Sequence, residues 1–144
     1  MAHREYIVIG LGRFGGGLAE TLVGMGHEVL GVDVDAKNVQ EFAGILTHVV
    51  EADSTDERTM AQLGAGEFET AIVAIGTEIE ASILTTAVLA DLGVRRIVAK
   101  AVTQAHGRIL ERVGAHRVVF PERDMGVRVA HMLDAPEDLM SRPE

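Results

Sequence analysis

Gly10-Leu11-Gly12-Arg13-Phe14-Gly15 has the spacing G-x-G-x-x-G. The chemistry such a loop offers is phosphate binding by main-chain groups. Gly10 permits a tight turn, Gly12 lets a phosphate approach the backbone, and Gly15 lets the following helix lie close to the preceding strand. The N-terminus of that helix adds free N–H groups and the positive end of its dipole. A glycine-rich turn without a ligand is the alternative. Asp33 stands 18 residues after Gly15, at the end of the next apolar run. A carboxylate there can accept hydrogen bonds from ribose hydroxyls, and its charge repels a 2′-phosphate, which disfavours NADP.

Further positions follow later apolar runs. Val34 and Asp35 continue from Asp33, and Asp35 either shares the ribose role or caps the next helix. Asp53-Ser54 either frames an adenine or caps a helix. Ile75-Gly76 permits close passage of a ligand. Lys100 closes an apolar run and Glu122 follows Phe120-Pro121; ordinary surface charge is the plain alternative for both. Arg13 lies inside the loop itself. Together with Lys100 it would put two cations near one ligand, which suits a triphosphate, or a diphosphate with a neighbouring group, better than a neutral nicotinamide.

These residues need a scaffold that brings the ends of apolar runs to one edge. Six short runs are visible: Tyr6–Gly10, Val29–Asp33, Thr47–Val50, Ala71–Ile75, Arg96–Lys100 and Val118–Pro121. Continuous apolar runs of this length suit strands buried on both faces. Between them the sequence predicts helices over Gly16–Met25, Ala36–Phe42, Asp56–Leu63 and Glu78–Leu92, one capped by Thr103 and ended by Gly114, and one over Asp124–Leu133. Glycines just after these stretches are the usual helix stops. The alternation predicts an α/β fold, a Rossmann-like doubly wound, mainly parallel six-stranded sheet with helices on both faces. Residues 1–133 form the nucleotide-binding domain in this reading, and 134–144 a C-terminal tail.

Composition narrows the classes. The 144 residues hold 13 Lys and Arg against 22 Asp and Glu, for a net charge of −9. The first 72 residues carry 4 against 12, the remainder 9 against 10. Nucleic-acid binders normally carry a basic face, and single-strand binders need aromatic platforms. With five aromatic residues and no Trp, nucleic acid is not an expected partner. There is no Cys, which excludes disulfides and thiolate metal sites. The N-terminal apolar stretch is too short for a signal-peptide core, so a cytoplasmic location is the simplest expectation. The six histidines show no metal spacing and read mostly as surface residues, His106 being the one nearest a strand exit. No P-loop G-x-x-x-x-G-K-[ST] is present, and the single tyrosine, Tyr6, is in the first strand. The expectation is a nucleotide site without catalytic machinery. A small NAD-dependent oxidoreductase, or a detached cofactor domain of one, is the competing reading.

The sequence resembles the N-terminal domain of RCK/KTN (TrkA-N type) proteins, the cytosolic regulators of potassium channels and Trk/Ktr transporters. The resemblance rests on six stretches in order: 10–15, 31–35, 52–56, 74–76, 99–101 and 119–126. It implies binding of ATP or ADP, with NAD(H) as another candidate. By that resemblance Arg13 and Lys100 reach the phosphates, Asp33 holds the ribose and Asp53 lies by the adenine. Glu122 binds a cation beside the terminal phosphate at a subunit interface. Ser54 stands where the family often has Ala. The resemblance also implies a homodimer, four of which form an octameric ring. That ring would lie at the inner face of the cell membrane, beneath an integral-membrane potassium transporter or channel. Subunits of this family usually continue into a C-terminal regulatory domain, so 134–144 reads as the start of a truncated linker. The stretch Ile79–Leu92, apolar nearly all round, and the apolar stretch Met125–Leu133 are expected at that interface, core packing being the alternative.

Overall fold

The computed structural model describes residues 3–135. Six strands form one sheet in the order β3-β2-β1-β4-β5-β6, every neighbouring pair parallel. They are β1 (Glu5–Ile9), β2 (Glu28–Asp33), β3 (His48–Glu51), β4 (Thr70–Val73), β5 (Arg96–Lys100) and β6 (Arg117–Val119). The helices are α1 (Arg13–Gly24), α2 (Ala36–Phe42), α3 (Glu57–Gln62), α4 (Ile79–Asp91), α5 (Gln104–Val113) and α6 (Pro121–Leu133). A short 3₁₀ turn, Ala65–Glu67, precedes β4. This is the Rossmann-like doubly wound fold expected from the alternation of runs.

Strand side chains alternate between two cores. Ile7, Ile9, Val73 and Ile97 join Met60, Leu89 and Leu110, from α3, α4 and α5, in one core. Val8, Val29 and Ile72 join Ala19 of α1 and Phe42 of α2 in the other. The strand order reverses between β1 and β4, so the crevice at their C-terminal ends is the expected ligand edge.

Several boundaries differ from the sequence reading, each for a local reason. α1 begins at Arg13, directly from the glycine loop, because its low-propensity glycines do not break a helix held by packing. Pro121 is the first residue of α6 rather than the end of β6. A proline lacks an N–H that this position would leave unbonded anyway. The helix stops behave as read: Gly26, Gly64, Gly93 and Gly114 all have positive φ. Residues 136–144, most of the expected tail, lie outside the described residues.

Burial within this chain sorts the helices and the histidines. α4 is not buried all round: Ser82, Thr85, Thr86, Val88 and Leu89 face inward, while Ile79 and Leu84 are 40% and 47% exposed. Its hydroxyl residues, which look polar in sequence, are buried because each bonds to a neighbour. Four of the six histidines, His3, His48, His116 and His131, are exposed as expected, whereas His27 and His106 are buried. α6, by contrast, has no buried residue, and Met125, Val127, Val129, Met132 and Leu133 are all exposed. Core packing within this chain is therefore not their role.

Candidate functional site

The glycine loop leaves β1 and enters α1 within three residues. Gly10 has φ +98°, and a Cβ there would stand 2.7 Å from the carbonyl oxygen of Ala74. At Gly15 a Cβ would lie 1.8 Å from the oxygen of Gly10. Both glycines are demanded by the fold itself. Gly12 is different. Its φ is −75°, and a Cβ would meet nothing within 4 Å. No feature of this chain needs a glycine there, but a group approaching the backbone from outside does. Gly12 caps α1 with no side-chain cap bond. The first-turn N–H groups of α1, which no helix satisfies internally, thus face that space. The cradle fits a phosphate.

Asp33 is tied to this loop. Its Oδ2 accepts from the Leu11 N–H at 2.7 Å and from Asn38 Nδ2 at 3.1 Å, and its Oδ1 accepts from the Asp35 N–H at 2.8 Å. The acid is held at the C-terminal end of β2 with its orientation fixed from three sides. The Leu11 side chain is buried, so only its main chain serves the site. Asp35 caps α2 by accepting from the Lys37 N–H, and Val34 is 65% exposed beside it.

Asp53 is exposed and folds back on Thr55, accepting from its hydroxyl at 2.6 Å and its N–H at 2.9 Å. These bonds, the hydroxyl first, hold its carboxyl below the ordinary value of 3.8, against a small opposing effect of burial. The cap of α3 is Asp56, not Asp53 or Ser54. Ser54 is buried, and its hydroxyl pairs with that of Thr85 in α4 at 2.7 Å.

These residues surround a cleft of about 380 Å³ whose lining includes Gly10, Gly12, Asp33, Asn38, Asp53 and Thr77. A second, wider groove of about 980 Å³ runs between the loop and α6, along Arg13, Phe14, Lys100, Glu122, Met125 and Val129. Gly76 and Thr77 line both. The predicted positions therefore divide. Asp33, Val34, Asp35, Asp53, Ser54 and Ile75 line the first cleft, and Arg13, Phe14, Lys100 and Glu122 line the second. Leu11 and Gly15 line neither, being consumed in packing.

Charge divides the same way. The small cleft has four carboxylates, Asp33, Asp35, Asp53 and Glu78, and the groove has the cations Arg13 and Lys100 with one carboxylate, Glu122. The Lys100 side chain is 11% exposed, and its Nζ lies 3.5 Å from Oε1 of Glu122. Such an arrangement suits a ligand with hydroxyls at one end and negative charge at the other. Asn38 and Thr77 escaped the sequence reading. Asn38 belongs to no spacing motif, whereas Thr77, just past a strand end, carried a positional signal. His106 is a core residue rather than a site residue: Nδ1 accepts from the Val102 N–H at 3.2 Å, and Nε2 lies 2.6 Å from Ser82 Oγ.

The TrkA-N domain family model matches residues 6–121. Ktr system potassium uptake protein C of Bacillus subtilis (strain 168) is 48% identical over 128 residues, covering 89% of this chain. The chain spans 58% of that relative's length. Among solved structures, the TrkA-N domain of the inner membrane protein ybaL from Escherichia coli superposes with a TM-score of 0.80 at 20% identity, covering 90% of this chain and 96% of that one. The GsuK channel bound to NAD superposes with a TM-score of 0.72 at 18% identity, covering 82% of this chain and 21% of that one. Similarities this low in identity establish the fold. Among the described residues no helix is long and apolar enough to cross a membrane.

Proposed function

Because the chain belongs to the TrkA-N family, we propose that it is the adenine-nucleotide-sensing domain of a potassium transport system. The observation that carries this reading is the open cradle at Gly12, set between the carboxylate of Asp33 and the cations Arg13 and Lys100. Asp33 accepts hydrogen bonds from ribose hydroxyls, with Asp53 beside the adenine. The α1 N-terminus and Gly12 take the phosphates. Arg13 and Lys100 meet the charge that distinguishes ATP from ADP, and Glu122 holds a cation near the last phosphate. Support from relatives is of two kinds: a Ktr potassium uptake protein at 48% identity, and a structurally similar channel solved with NAD.

The domain acts by population shift. A nucleotide that binds one arrangement of the assembled subunits better than another biases that arrangement by the difference in affinity. The assembly in this proposal is a homodimer, four of which make an octameric ring at the cytoplasmic face of a membrane potassium transporter or channel. The exposed apolar residues of α6 supply surface for it.

Calorimetric titration with ATP, ADP, NADH and NADPH tests the reading. ATP and ADP bind and NADPH does not, because Asp33 repels a 2′-phosphate. Arg13→Ala narrows the ATP/ADP ratio; an unchanged ratio removes Arg13 from this role. Binding of NADH alone, with turnover, replaces the proposal with a small NAD-dependent oxidoreductase.

A further inference from the structure

The opposite edge of the sheet holds a cluster with a different chemistry. β1 and β2 are parallel neighbours, and Glu5 pairs in register with Glu28. Two carboxylates side by side on adjacent strands repel each other unless a cation lies between them. His3 sits beside them, its Nε2 3.0 Å from Glu28 Oε2. One ligand atom from each of His3, Glu5 and Glu28 lies within 4.8 Å of the other two.

Both ring nitrogens of His3 face an oxygen. Its Nδ1 lies 3.2 Å from the carbonyl oxygen of Gly26. A carbonyl only accepts, so this contact is a hydrogen bond in the tautomer with the hydrogen on Nδ1. In the neutral ring Nε2 is then a lone pair, and it faces a carboxylate oxygen, which also only accepts. Two acceptors 3.0 Å apart need a shared cation: a proton on Nε2, or a metal. A histidine donating its second ring N–H to a backbone carbonyl is the usual outer-shell support of a metal-binding imidazole.

The frame is firm. The Glu28 N–H donates to the Arg4 carbonyl at 2.9 Å, and the Arg4 N–H donates to Nδ1 of the buried His27 at 3.1 Å. The His3 and Glu28 side chains are 55% and 50% exposed, so an ion enters directly from solvent.

We propose that His3, Glu5 and Glu28 form a binding site for a divalent first-row transition cation of the Zn²⁺ class, with water in the remaining positions. The imidazole selects such an ion over Mg²⁺ and Ca²⁺, which prefer oxygen ligands. The site lies at the N-terminal ends of β1 and β2, away from the nucleotide edge.

The test uses the untagged chain and Zn²⁺ alone at pH 7.5, where protons compete weakly for an imidazole. Calorimetry yields one saturable equivalent, and His3→Ala, Glu5→Gln and Glu28→Gln each weaken it at least tenfold. His48→Ala, a change at an exposed histidine of β3, leaves it unchanged. Melting curves in EDTA show that the variants fold. On the unaltered chain, the ¹⁵N shift of His3 Nε2, not Nδ1, moves on adding Zn²⁺. Absence of saturable binding, affinity unchanged in Glu28→Gln, a shift at Nδ1 instead, or equal competition by Mg²⁺ overturns the proposal.

Discussion

Lys100 and Glu122 meet across the groove between β5 and α6, Nζ to Oε1 at 3.5 Å, from unequal surroundings: the lysine side chain is 11% exposed and the glutamate 81%. Strand β5 delivers the lysine at its last residue, and the first turn of α6 presents the acid, where a helix dipole favours it. An ion pair with one partner in open water contributes little. An anionic ligand can therefore displace the glutamate without a large penalty.

Lys100→Met should weaken ATP binding about 10- to 100-fold, since a charge-assisted hydrogen bond contributes about 1.5–3 kcal/mol. Glu122→Gln should have opposite effects in two buffers. In EDTA it frees Lys100 and tightens ATP binding; with Mg²⁺ it removes a ligand of the cation and loosens it. Calorimetry in both buffers checks the pair of signs.

Gly15→Ala and Gly12→Ala should fail in different ways. The first places a Cβ against the Gly10 carbonyl and should destabilise the fold by about 1–3 kcal/mol or more. The second has room, so its melting temperature should stay near that of the unaltered chain while nucleotide affinity falls. Thermal melts without ligand, followed by titration, separate the two.

The buried hydroxyl pair of Ser54 and Thr85 should behave as a unit. Ser54→Ala alone orphans the Thr85 hydroxyl and should cost about 1–3 kcal/mol. The double change Ser54→Ala/Thr85→Val should cost less than the sum of the single ones. Denaturant unfolding of the four chains gives the coupling.

His106 makes stability depend on pH. Burial pushes its pKa below the ordinary 6.5, and both ring nitrogens are engaged by the neutral form. The unfolded chain therefore takes up the proton first as pH falls. Stability from the neutral ring is complete above about 6.5 and declines below it, towards the lowered folded value. Denaturation midpoints at pH 7.5, 6.0 and 5.0 should fall more steeply for the unaltered chain than for His106→Gln.

Local rules make much of this molecule legible from its residues alone. The glycines at 26, 64, 93 and 114 stop helices because their backbone angles favour a residue without a Cβ. Six apolar runs become strands because a sheet covered on both faces has no polar side to show. The loop at 10–15 and the acid at 33 follow the same logic, since one strand–helix–strand unit contains the whole pattern. Other features depend on which distant segments the crossovers bring together. Ser54 reads as an adenine neighbour or a helix cap until α4 supplies Thr85, and His106 reads as the histidine nearest a strand exit until Ser82 and the Val102 N–H enclose it. Leu84 reads as buried until the inward face of α4 is set by Val88 and Leu89. The histidines show no metal spacing along the chain, yet the register of β1 with β2 sets Glu5 beside Glu28 under His3. The sequence alone determines periodicity and turn chemistry, because these depend on neighbouring backbone angles. Side-chain partners are decided by strand order and register, which place residues 22 to 31 positions apart within hydrogen-bonding distance.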